Sequence, residues 1–284
     1  MLYNPHMWIA IILLIIASLL SEISGSLGKY AVKHKLESIF SMAFLNMLWS
    51  LGIFAATVLL RPDAWRFSFD SLPTLLVRFV LECFQVYWSA KAVVTSTRGT
   101  FGLVRSLTIP LLVIVDVSLG YVLNGWELIG ILVVFLTLVG LGMLGDLDRR
   151  GLKFVLLSSV NAALTISFYK YDITHFNSVA TEQILILSGL VLFLFFMARR
   201  SGENPIALFR KPVPMAQSAA FGSGGILDAF ALSFVPASIG TTFIRALGVF
   251  WCVIFGRAYF KETHFVAKLF GCAAIVAGLV LLAR

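Results

Sequence analysis

Apolar residues run along this chain in blocks of about twenty, separated by short polar breaks, and that period predicts helices long enough to cross a bilayer. Reading the blocks in order places helices near 7–30, 38–60, 73–95, 98–122 and 126–145. After the polar break GDLDRRGLK (145–153) they resume at 152–171, 179–198, 213–233, 237–259 and 264–283. The breaks are short, so neighbouring helices should form tight hairpins. The first lysine is Lys29, so no positive segment precedes the first block, and no small-residue cleavage site follows it. That block is expected to be a retained helix, not a signal peptide. Trp8, Tyr30, Tyr121, Trp126, Tyr169, Tyr171 and Tyr259 fall at block ends, as an interfacial aromatic belt would place them.

Composition narrows the setting. Of 284 residues, 60% are hydrophobic and 13% charged. Soluble domains carry about 25% charged residues, so the surplus apolar surface calls for a lipid solvent. The formal charge of +8 lies mostly in the short breaks. That arrangement suits headgroups and topology better than nucleic acid, for which no motif is present. Lys33, Lys35, Arg98, Arg149, Arg150, Lys153, Arg199, Arg200, Arg210, Lys211 and Lys261 sit in odd-numbered connections, against mainly Arg61 and Arg66 in even ones. The odd connections are therefore expected in the cytoplasm and both termini outside. Cys83, Cys252 and Cys272 all lie in apolar blocks, which argues against a disulfide framework. The four histidines lack metal-ligand spacing, so no metal or other cofactor is expected.

The two halves repeat. GKY at Gly28–Tyr30 answers YKY at Tyr169–Tyr171, GLVRSL (102–107) answers TFIRAL (242–247), and ELIG ending at Gly130 answers KLFG ending at Gly271. The offset is 140 or 141 residues throughout. Five helices per copy is an odd number, so the second copy would be inverted relative to the first, as in many secondary transporters. The expected units are 1–147 and 148–284. The stretch AFALSFVPASIGTTFIRALGVFWCVIFGRAYFKETHFVAKLFGCAAIVAGLVLL, with its PAS turn and FGRAYFKE helix end, resembles the end of an EamA-type domain of the drug/metabolite transporter superfamily. TSTRGTFGLVRSLTIPLLVIVDVSLGYVLNGWELIGILVVFLTLVGLGML echoes it in the first half. Glu262 fits that family's acidic residue after the ninth span, whereas Glu127 in NGWEL is displaced. The resemblance implies an all-α polytopic membrane protein: ten transmembrane helices, a five-plus-five inverted repeat around a central cavity, and alternating access without ATP.

Charges within the blocks are the candidate chemistry, because an ionisable group at the centre of a span costs about 2.5–3.5 kcal/mol to insert. Arg105 and Arg245 each lie about eight residues into a block. Arg105, Thr108, Leu112 and Asp116 share one helical face, and so do Arg78, Glu82, Gln85 and Ser89. Either the arginines are neutralised by Glu22, Glu82, Asp116 and Asp228 and hold the halves together, or they clamp an anionic group through their planar forks. A wrong helix boundary would instead place an arginine at an interface. Gln85, Trp88 and Asp228 join Arg105, Arg245 and Glu82 as residues expected to meet a substrate. Trp88, Tyr87, Phe84 and Trp251 are candidates for an aromatic wall. Glu22, Glu82 and Asp116 are candidates for proton coupling, with an Arg78–Glu82 pair within one helix as the plain alternative for Glu82. Lys29 and Lys170 are expected to reach headgroups or cap a helix C-terminus.

The sequence thus predicts a multi-pass protein of the cell (inner) membrane that moves a small organic metabolite, anionic or zwitterionic, most simply outward. Its partners would be that small molecule, the lipid bilayer and a proton as coupling ion, and it would act as a monomer or homodimer. A flippase for a phosphorylated or lipid-linked headgroup, and a non-transporting scaffold or receptor, are the alternatives. No nucleophile–base arrangement points to an enzyme.

Overall fold

The computed structural model describes residues 5–34, 36–95, 104–105, 107–143, 151–260 and 265–282. These residues are overwhelmingly helical, with no strand among them. The helices are α1 (Pro5–Lys33), α2 (Ile39–Leu60), α3 (Leu72–Thr95), α4 (Thr108–Ser118) and α5 (Gly125–Met143), then α6 (Leu152–His175), α7 (Val179–Arg200), α8 (Pro212–Phe234), α9 (Ala237–Phe260) and α10 (Phe265–Leu282). Of these, α1, α2, α6 and α7 contain stretches long and apolar enough to cross a membrane. Large apolar side chains such as Ile12, Leu76, Leu132, Leu164, Leu192 and Phe196 stand exposed on the outside. The boundary expected at 147/148 and the acid Glu262 lie outside the described residues.

Local chemistry sets the helix ends. Ser38 and Ser178 cap α2 and α7, their hydroxyls accepting from the Ser41 and Thr181 amides. Asn124 and Glu127 form a reciprocal box before α5. The Glu127 N–H donates to Asn124 Oδ1 at 2.8 Å, and the Asn124 N–H to Glu127 Oε2 at 2.7 Å. Helix α4 stops at Ser118, not at 122 as the hydropathy block suggests. Gly120 adopts φ +85°, which lets the Tyr121 amide turn back to the Asp116 carbonyl at 3.0 Å. Helix α6 runs four residues past its expected end, to His175.

The helices pack in a regular scheme. Helix α1 lies against α8 and α9, and α3 lies against α6 and α7. Helix α2 packs on α7 and α8, α4 on α6 and α9, and α5 on α10. The starts of α2 and α7, of α3 and α8, and of α5 and α10 are each separated by 140 residues.

Among the described residues, connections of like parity meet. At one end the α1–α2 and α7–α8 connections touch: Lys211 Nζ donates to the Leu36 carbonyl at 2.9 Å, and the Ser38 and Ser41 hydroxyls donate to the Glu203 carboxylate. At the other end the α2–α3 and α6–α7 connections touch, the Ser178 amide donating to the Arg66 carbonyl at 2.9 Å. There too the Ala237 and Ser238 amides, at the α8–α9 connection, donate to Asp116 near the end of α4, at 3.3 and 2.7 Å.

Glu37, in the α1–α2 connection, is 8% exposed, and neither carboxylate oxygen has a hydrogen-bond partner. Burial pushes its carboxyl up from 4.5 to about 7, with Lys211 opposing the shift and Glu203 adding to it. A carboxyl raised on folding costs nothing while it is protonated in both states. The cost therefore grows as pH rises from about 4.5 and is complete above about 7, to at most about 3 kcal/mol. Glu37→Gln should raise the melting temperature at pH 8 and leave it nearly unchanged at pH 4.5. Thermal unfolding across that range checks this, and equal shifts at both pH values would contradict it.

Candidate functional site

Helix α3 carries its polar side chains at helical spacing, and that stripe faces inward. Arg78 is 3% exposed. Its Nη1 donates to Glu182 Oε1 at 2.7 Å, while Glu82, one turn along its own helix, is 3.8 Å from Nη2. The guanidinium also stacks 4.7 Å from the Tyr169 ring centroid. The other carboxylate oxygen of Glu182 accepts from Asn177 Nδ2 at 2.7 Å, and the same nitrogen donates to Ser71 Oγ at 2.9 Å. Thr74 Oγ1 donates to Asp172 at 2.6 Å. One buried polar network thus joins α3, α6, α7 and the α2–α3 connection at the even-connection end. Low local polarity makes each of these bonds stronger and each missing partner costlier.

Further along α3, Gln85 ties this helix to α6. Its Nε2 donates to Ser89 and Ser158 at 2.9 and 3.1 Å, and its Oε1 accepts from Asn161 Nδ2 at 2.9 Å.

Beneath the network lie two adjoining cavities of about 150 and 170 Å³. Arg78, Glu82, Gln183 and Gly225 line both. The first reaches Ser50 and Phe54 on α2, and the second reaches Tyr169 on α6 and Asp228 on α8. Gly225 keeps the space open, since a Cβ there would meet only Ser50 Oγ, at 3.9 Å. One turn earlier, Gly222 serves packing instead: a Cβ there would lie 2.8 Å from Trp49 Cβ.

The residues singled out in the sequence divide among different settings. Glu82 and Asp228 face the cavities. Arg105 and Arg245 do not line them, although the charge of Arg245 acts on both Arg105 and Asp228. Gln85 joins α3 to α6, and Trp88 stacks on Phe84 with ring centroids 5.2 Å apart. Glu22 accepts from Ser26 at 3.5 Å on the same helix. Asp116 is fully buried and anchors the start of α9, as a carboxylate at a helix N-terminus does. Asp116→Asn should therefore lower stability by about 1 kcal/mol, measured as a fall in unfolding temperature. A loss too small to detect would contradict that anchoring.

One aromatic assignment needs correcting, and one lysine takes the second of its two expected roles. Tyr169 is 3% exposed and donates to the Ala229 carbonyl at 2.7 Å, so it belongs to the core, not to an interfacial belt. Lys170 does not reach headgroups. It is 4% exposed, with Nζ donating to the Leu232 and Val235 carbonyls at 2.5 and 2.9 Å. It caps the C-terminal end of α8, a helix remote in sequence.

Glu182, Asn177 and Asp172 escaped the sequence reading. Glu182 lies in the first turn of α7, where an acid ordinarily serves the helix dipole. The available signal was Arg78 itself, since a buried guanidinium needs more than one carboxylate 3.8 Å away.

Neither a family model nor a curated protein matches the sequence. Solved structures do resemble it. One, described only as "Crystal structure of protein", superposes with a TM-score of 0.71 at 15% identity, over 99% of this chain and 98% of that one. That likeness is one of fold.

Proposed function

We propose that this chain is a multi-pass membrane protein and a secondary transporter of small organic molecules, with its ten helices arranged as two inverted five-helix repeats in the EamA manner. The central cavity with charged walls carries this reading, because a helical scaffold without transport has no use for a polar void of this kind beside a buried arginine. The packing scheme supports the repeat. Exchanging each helix for the one five places along turns α1–α8 into α6–α3, α1–α9 into α6–α4 and α2–α8 into α7–α3, all of which are observed contacts. Helices α2–α7, α4–α9 and α5–α10 pair with their own counterparts. The 140-residue spacing of helix starts agrees with the offset in the sequence. The meeting of two odd connections, α1–α2 and α7–α8, at one end and of the even connections α2–α3 and α6–α7 at the other fits a chain that crosses the body at every helix. By charge, the odd end would face the cytoplasm.

The substrate would occupy the cavity between α3 and α8. The Arg78–Glu182–Asn177 network would close the even end while the odd end opens, which is alternating access between two packings of one scaffold. Uptake into proteoliposomes tests this, with a panel of amino acids, organic anions and organic amines, each with and without a pH gradient. Saturable, gradient-driven accumulation of at least one class is expected, and passive leakage alone for all of them would refute transport. In the same assay Arg105→Gln and Arg245→Gln decide whether those arginines clamp an anion. Unchanged half-saturation for an anionic substrate excludes that role. Retained gradient-driven accumulation in Glu22→Gln and Glu82→Gln would likewise exclude proton coupling through those acids.

A further inference from the structure

The sign of the charge lining the cavity speaks to its ligand. Arg78 is the cation on the wall, and acids already flank it: Glu182 holds one terminal nitrogen at 2.7 Å, Glu82 lies 3.8 Å from the other, and Tyr169 covers a face at 4.7 Å, while Nε has no hydrogen-bond partner. An incoming anion would have to share Arg78 with two carboxylates already beside it, whose like charge opposes its entry. The carboxylates are differently placed. Glu82 has only the long contact to Arg78, made to a guanidinium that Glu182 satisfies better. Asp228 has no hydrogen bond and no ion pair within 4 Å among the described residues, although the charge of Arg245 reaches it. They stand on different walls, Glu82 on α3 and Asp228 on α8, and both line the second cavity. Tyr169, Phe54 and Ile166 supply apolar and aromatic surface around them, the surroundings that favour an ammonium with a hydrocarbon body.

We infer that the cavity binds a small organic cation, its ammonium held between Glu82 and Asp228 and its apolar part against Tyr169 and Phe54. The inference rests on the transport reading for its biological setting, but binding is measured independently of transport. It reverses the anionic preference suggested by Arg105 and Arg245, neither of which lines the cavity.

Calorimetric titration of the purified full-length chain with phenethylamine, and with phenylacetate as the anionic counterpart of similar shape, provides the test. The amine should bind at least tenfold more tightly than the acid. Glu82→Gln and Asp228→Asn should each weaken amine binding tenfold or more, while the chain elutes as folded protein and unfolds cooperatively. Gly225→Leu, which fills the cavity and leaves both carboxylates in place, should abolish binding. Stronger binding of phenylacetate, no binding of the amine by folded protein, or undiminished amine binding in both carboxylate variants would each overturn the proposal. Amine binding without uptake in proteoliposomes would sink the transport reading and leave the cation site standing. Uptake of phenylacetate without amine binding would do the reverse.

Discussion

Glu182→Ala should be the most damaging single substitution in the protein. It removes the closest carboxylate from an arginine that is 3% exposed and leaves Glu82 at 3.8 Å as its ion-pair partner. Stranding a buried charge in this way costs about 3–5 kcal/mol, enough to deplete folded protein in a marginally stable chain. The alanine also removes one of the two acceptors of Asn177 Nδ2, which donates to Glu182 at 2.7 Å and to Ser71 Oγ at 2.9 Å. Replacing both ends of the pair with apolar side chains, as in Arg78→Met with Glu182→Leu, removes the stranded charge and should recover much of the loss. Thermal unfolding of the detergent-purified proteins separates these cases. A double variant no more stable than Glu182→Ala would mean the pair is not the main source of the loss.

The second large effect belongs to the contact between α5 and α10. A Cβ on Gly130 would lie 2.7 Å from the Gly278 carbonyl oxygen and 2.9 Å from Leu282 Cγ, and one on Gly278 would lie 2.6 Å from Val134 Cγ2. Two small residues facing each other let the backbones approach, and apolar helices associate through such contacts where the surrounding solvent gives no hydrophobic drive. Gly130→Val must push a backbone carbonyl aside, at about 3 kcal/mol. Gly140, on the same helix, has nothing within 4 Å of an added Cβ. Gly140→Ala should therefore be neutral or stabilising by up to about 1 kcal/mol. Melting temperatures of the two variants check the pair. Equal behaviour would mean the close approach contributes nothing.

Helix positions were legible in the sequence because hydropathy and helical period act along the chain, where neighbours are known. Nine of the ten expected segments coincide with a helix to within a few residues. The exception, the fourth, runs partly through residues not described, and it ends early because Gly120 takes a left-handed conformation that hydropathy does not encode. Glu82 and Asp228 were legible as carboxylates in apolar surroundings. Partnerships between distant residues were not. Lys170 meets carbonyls 62 and 65 positions away, and Arg78 meets an acid 104 positions away. No local pattern records such pairs. Arg105 drew attention as a charge in apolar sequence, and so did its counterpart Arg245. The arginine that meets the cavity is Arg78, which the helical face shared with Glu82 had made look locally satisfied.

The most direct test of the central claim compares proteoliposome uptake by the wild-type chain and by Gly225→Phe across the same panel of amines, amino acids and anions. Gly225 borders both cavities and tolerates a Cβ, so a phenyl group there should fill the path without disturbing α8 elsewhere. A path through the cavity requires gradient-driven uptake of an amine by the wild type and its loss in the folded variant. Uptake that survives the filled cavity would contradict it.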